Sequence, residues 1–149
     1  MIIVKHWRSL RSRLSQKKPS FAKKLKPLLF TGIFASFSTT YLEMIFVGVG
    51  QYSFPTRPFP TVFPIHIGFT LLAIPLITVT FLVLFERTNR IYQLAMLIML
   101  GILAVLAELI AKQLGLISFS NDWQHLYSFF GYILFFMINW LIFCLLQID

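Results

Sequence analysis

Cysteine and acidic side chains are scarce in this chain. Cys144 is the single cysteine among 149 residues, so no internal disulfide can form, and no Cys/His pattern of the zinc-binding kind occurs. It falls inside the last apolar run and reads as a packed or lipid-facing apolar residue. Only five residues are acidic against thirteen lysines and arginines, a formal charge of +8. There is no H-E-x-x-H spacing and no pattern of an activated nucleophile, so a hydrolytic mechanism has no motif to rest on.

Apolar residues are what the chain has in excess. Its length suits one domain, yet 58% of the residues are hydrophobic and 17% aromatic, with a mean hydropathy of +0.80. A small water-soluble domain buries only roughly two-thirds of its unfolded surface, too little to hide so much. Lipid removes the difficulty by solvating the apolar side chains. The first long apolar run begins near Leu28, is too long for a signal-peptide core and lacks a small-residue cleavage site, so it reads as an anchor.

Position explains the positive charge. Nine of the thirteen cations precede Pro27: Lys5, Arg8, Arg11, Arg13, Lys17, Lys18, Lys23, Lys24 and Lys26. A basic tail joined to apolar spans reads as a topology determinant and a ligand for anionic membrane lipids. No recognition helix or stacking sheet accompanies it, so nucleic acid is not the expected partner. Within this arm of residues 1–27, Ile3, Trp7, Leu10 and Leu14 share one helical face, the pattern of a short interfacial helix; a disordered basic tail is the alternative. Pro19 should end that helix, and Pro27 suits the first turn of the next. His6 belongs to the solvated arm.

The remainder, residues 28–149, reads as an all-α polytopic membrane protein, a four-transmembrane-helix bundle. Spans are expected at about 28–49, 63–85, 91–114 and 128–148, each near the ~20 residues that cross the hydrocarbon core. Pro75 marks a kink in the second. Three spans with one re-entrant segment is the competing topology. Between spans one and two, Pro55, Pro58, Pro60 and Pro64 exclude a regular helix or central strand, and the aromatics among them suit a membrane interface. The basic arm and the turn carrying Arg87 and Arg90 share one side, which makes it cytoplasmic. The expected protein is a multi-pass protein of the cell membrane with both termini in the cytoplasm.

Small and polar residues fall on stripes that suit a bundle interior: Gly32, Ser36, Thr39, Thr40 and Glu43 in span one; His66, Thr70, Ala73 and Ile77 in span two; Gly101, Ala104, Glu108, Ala111 and Gly115 in span three; Ser128, Tyr132, Phe135 and Asn139 in span four. Glu43 and Glu108 each lie about 9 Å below the outer end of their helices at ~1.5 Å rise per residue. Lys112 is one turn above Glu108 and within pairing reach. Arg57, His66, Asp122 and His125 add charge on the same side. An intramembrane charge costs at least ~2.5 kcal/mol, so such groups face a partner or water. Two readings follow. In the structural one, Glu108 pairs with Lys112, and Glu43 is held by Arg57, His66 or Thr39. In the functional one, the carboxylates line an outward cavity that binds a cation, proton or polar ligand.

The elements Thr40-Tyr41-Leu42-Glu43, Phe46-Val47-Gly48, Tyr52 to Pro60 and Trp123 to Tyr132 carry a resemblance. Together they resemble an uncharacterised family of small multi-spanning membrane proteins of Bacillus- and Clostridium-type bacteria, over residues 40–149. The resemblance implies a membrane location and a Gram-positive source, and no activity. An acidic residue precedes Phe-Val-Gly in such sequences, and Glu43 matches it. In topology alone the chain is also similar to the small multidrug resistance transporters, which exchange protons for a cationic drug through one Glu in the first of four helices. The Pro-rich loop, the second Glu and the outer position of Glu43 depart from that pattern.

The expected function is non-enzymatic binding by the outer polar cluster, with Glu43, Glu108, Lys112, Arg57, His66, His125 and Asn139 as ligand-binding or proton-exchange candidates. A protein partner or a homodimer is compatible with this reading, and no cofactor is expected. A small dimeric proton-coupled transporter using Glu43 is the alternative. A metal-dependent intramembrane hydrolase built on His66, His125 and the carboxylates comes third; no short-range motif enforces a metal site.

Overall fold

The computed structural model describes residues 21–147, with side chains from Lys23 onward. The interfacial helix expected around Trp7, the position of Pro19 and the end of the fourth span at Ile148 lie outside the described residues. The architecture is mostly helical. Helix α1 covers Phe21–Gly48, strand β1 Tyr52–Ser53, helix α2 Ile74–Phe85, helix α3 Arg90–Gln113, strand β2 Ser118–Phe119 and helix α4 His125–Leu146. From Lys23, α1 is long and apolar enough to cross a membrane, as are α3 and α4. With the π-helical turn Phe69–Ala73 that precedes it, α2 makes a fourth apolar helix, shorter at Phe69–Phe85.

Prolines set the exceptions. Pro27, expected in a first turn, lies inside α1. It removes the donor for the Lys23 carbonyl, but Lys23 is exposed, so water can satisfy that oxygen. The second helix starts later than the expected residue 63. Pro64 interrupts the chain, only Ile67 and Gly68 lead into the helix, and the Phe69 N–H donates to His66 Nδ1 at 3.2 Å. The kink expected at Pro75 takes the form of the π turn. The Ile74 N–H bonds the Phe69 carbonyl, five residues back. The next donor in that register would be Pro75, which has none.

Two antiparallel hairpins result. In the first, Lys24 pairs with Glu86 at one end and Ser36 bonds Thr70 farther along. In the second, Gly101 of α3 meets Phe129 of α4 so closely that a Cβ would lie 2.7 Å from the ring. Asn89 caps α3 by accepting the Tyr92 N–H at 3.2 Å. Helix α4 joins the hairpins by packing on α1 and α2, whereas α3 packs chiefly on α4.

The core is more apolar than the stripes of small residues imply. Leu28, Phe81, Leu82, Phe85, Phe136 and Phe143 form one buried cluster, with Phe81 against Phe136 at 4.8 Å and Phe85 against Trp140 at 4.9 Å. Gly32, Ser36, Glu43, Thr70, Gly101, Ser128 and Asn139 are buried, but Ile77 faces outward and Thr78 takes the interior position. Gly115 lies beyond α3 at φ 69°, in the turn that ends it.

Candidate functional site

Glu43 occupies the end of α1 farthest from the Lys24–Glu86 pair. It is 7% exposed, and its Oε2 is buried with no hydrogen-bond partner among the described residues. One turn on, Phe46 packs against Tyr52 at 6.0 Å and Trp123 at 5.8 Å. Tyr52 also meets Phe54, Phe119 and Trp123 edge to face, the preferred geometry of aromatic pairs.

Backbone bonds tie these rings into a cover. Tyr52 pairs with Phe119 and Ser53 with Ser118 in an antiparallel ladder between the first and third connections. The Ser120 N–H extends it by donating to the Gln51 carbonyl at 2.9 Å. Within and beside the cover, Trp123 Nε1, Ser120 Oγ and Ser128 Oγ are buried and likewise without partners among the described residues. Burial raises the Tyr52 phenol above its ordinary pKa, and the charges of Glu43, Tyr132 and Glu108 add to the shift. Both carboxylates therefore act on one phenol.

Glu108 faces His125 rather than Lys112. Its Oε2 lies 3.3 Å from His125 Nδ1, while Lys112 is exposed. The start of α4 supplies a nearby imidazole, and a long lysine chain is free to extend away from the carboxylate. Beside His125, an apolar groove between α3 and α4 is lined by Ile102, Val105, Leu106, Leu126 and Phe129.

Glu43 is not held by any of its three expected partners. Arg57 instead donates to the carbonyls of Phe54 (2.5 Å), Phe63 (2.8 Å) and Pro60 (3.2 Å). Those three bonds tie the guanidinium to its own loop. His66 is occupied in capping the second helix, and Thr39 makes no bond to Glu43. Asn139 is fully buried and donates to the Phe135 carbonyl at 2.8 Å. It sits about 21 Å along α4 from His125 at ~1.5 Å per residue, away from the cluster. Asp122 is exposed.

Of the sequence candidates, then, Glu43, Glu108 and His125 share one end around Tyr52; Arg57 and His66 bond the backbone of their own segment, Lys112 is exposed, and Asn139 lies farther along α4. The residues that sequence reasoning missed there are Tyr52, Trp123 and Ser120. For Tyr52 and Trp123 the signals were the aromatics of the two connections and their place in the elements that carry the resemblance; Ser120 had none. Among the described residues no three His, Cys, Asp or Glu side chains stand close enough to hold a metal ion. Chemically, the arrangement offers a buried acceptor to anything that brings a positive charge or a donor. No protein-family model, curated protein or solved structure matches this chain.

Proposed function

We propose that the chain is a non-enzymatic, four-span membrane protein that binds a small cationic or hydrogen-bond-donating ligand at Glu43, near the outer face. One observation carries the reading: a carboxylate oxygen buried without a partner among the described residues. Leaving such a group unmet costs about 1–3 kcal/mol or more, and a carboxylate kept only for structure would be expected to have a donor beside it. The second apolar helix, continued by residues 54–68, completes the fourth span. Lys24, Lys26, Arg87 and Arg90 lie at the opposite end and support a cytoplasmic assignment for it in the cell membrane. The resemblance to small multi-spanning proteins of Bacillus- and Clostridium-type bacteria belongs to the same reading.

Dicyclohexylcarbodiimide, an apolar reagent for protonated carboxyls in membranes, tests this directly. Purified protein in nanodiscs should take one adduct at Glu43, read by intact mass and peptide mapping, and tetramethylammonium should slow it. Glu43→Gln should remove it. Protein that reacts at Glu43 only after unfolding in detergent would put the carboxylate beyond any ligand and end the proposal.

A proton-coupled dimeric transporter is the second reading, favoured by the same unpaired carboxylate and by the sparse cover on α3. It requires proton release when a cationic substrate binds, abolished in Glu43→Gln. Binding without proton release leaves the first reading standing alone.

A further inference from the structure

Two contacts act as depth marks between α1 and the second helix. Lys24 meets Glu86 at the basic end, and Ser36 meets Thr70 farther out. Twelve residues of α1 separate Lys24 from Ser36, about 18 Å at ~1.5 Å per residue. A bilayer core is ~30 Å thick, so hydrocarbon extending outward from the first mark passes the second by about 12 Å. Helix α1 continues through that band to Gly48. The second helix does not, because its chain becomes irregular before Ile67.

The segment from Phe54 to His66 occupies this band beside α1. It folds back instead of projecting outward: Ile65 is buried, and Pro58 Cγ lies 4.0 Å from the Cβ position of Gly68. The rings of Phe54 and His66 are 6.4 Å apart. Its chemistry suits the boundary between hydrocarbon and headgroups. Four prolines carry no N–H, and Arg57 gathers three carbonyls, which lowers the backbone's demand for water. The remaining free polar groups require the glycerol and phosphate layer, not the dry centre. Meanwhile Phe59 is 69% exposed and Val62 67% exposed. Phe59 holds φ at 52°, a left-handed conformation costing about 1–2 kcal/mol in a residue with a Cβ. Strained backbone presenting an uncovered ring points to a contact for that ring.

We infer that the Phe54–His66 segment is embedded in the outer leaflet of the bilayer, with Phe59 and Val62 inserted among the upper acyl chains of its phospholipids. The inference rests on the four-span reading and adds that the first connection is a lipid-seated plug beside Glu43, not an aqueous loop. Lipid therefore packs against the cover of the Glu43 site.

Spin labelling on a Cys144→Ser background tests it in liposomes. Labels at Phe59→Cys and Val62→Cys are compared with one at Asp122→Cys, in the exposed third connection, and one at Leu76→Cys, exposed on α2. Power saturation reads relative access to oxygen and to a water-soluble nickel chelate. Phe59 and Val62 should show an oxygen-to-nickel ratio several-fold above that of Asp122 and approaching that of Leu76. Ratios equal to that of Asp122, with Leu76 in lipid, overturn the inference and leave the four-span reading intact. A water-accessible Leu76 overturns both. Should Phe59→Cys fail to fold, Val62→Cys gives the same readout alone.

Discussion

The hydroxyl of Ser36 donates to the carbonyl of Thr70 at 2.8 Å, and that carbonyl is the one Pro75 leaves without a partner. In the π turn Phe69–Ala73, the fifth residue after Thr70 would supply the donor, and a proline cannot. A defect in one helix is thereby mended by its neighbour, and the repair fixes the relative height of α1 and α2.

Ser36→Ala should therefore destabilise the protein by about 1 kcal/mol, in the range of interhelical hydrogen bonds in membranes. In a Pro75→Ala background, where a backbone N–H is restored, the same change should cost less. Reversible unfolding in mixed micelles gives all four corners of the cycle. Equal costs in both backgrounds would show that the serine bond does not stand in for the missing donor.

Gly101 is the close-approach point of α3 and α4, with Phe129 Cδ2 at 2.7 Å from a would-be Cβ. Gly101→Ala should cost about 1–3 kcal/mol through overpacking. Gly131→Ala, where nothing lies within 4 Å, should be neutral or slightly stabilising. Thermal melts of the two variants separate a contact effect from a general helix effect.

Glu43→Leu should leave stability unchanged or raise it, because it removes a buried polar group that lacks a partner. Carbodiimide labelling at that position should vanish in the same variant. A fall in stability of more than about 2 kcal/mol, the cost of breaking a satisfied buried interaction, would reveal a donor that holds the carboxylate.

The alkaline limb reports Tyr52. Its phenol is held above its ordinary value, by burial first and by nearby negative charge second. An unfolded tyrosine releases its proton at about pH 10, before the folded one does. The unfolded state then binds fewer protons, and stability falls as the pH rises past that point. Tyr52→Phe should flatten this decline relative to the parent protein, as read by chemical unfolding at about pH 8 and about pH 11.

The helices were legible because runs of about 20 apolar residues read as long apolar helices, whereas the boundary of the basic arm at Pro27 was not, because Phe21 to Pro27 already belongs to α1. Which apolar side chains face inward was not legible. Phe81, Phe85, Phe136 and Phe143 form the core, yet Phe30 and Phe37 are exposed. Hydropathy cannot tell a neighbouring helix from lipid, and the stripes of small residues marked only the closest approaches. Glu43 stood out through the scarcity of acidic residues, its place on the stripe of small residues, and the acidic position that the resemblance marks before Phe-Val-Gly. That Arg57 turns away from it depends on where its own loop places three carbonyls, which no spacing encodes. The pairing of Tyr52 with Phe119 rests on strands of two residues, too short to carry any periodicity.

That short ladder has a consequence for biogenesis. It joins the connection inside the first helical hairpin to the one inside the second, with α2 and α3 intervening in the chain. When the first hairpin has been synthesised and inserted, the partner of Tyr52 does not yet exist. The aromatic cover over Glu43 can close only after α3 and the connection that follows it have been synthesised. Until then, the acidic end of α1 stands open, and the site matures only after three of the four helices have been made.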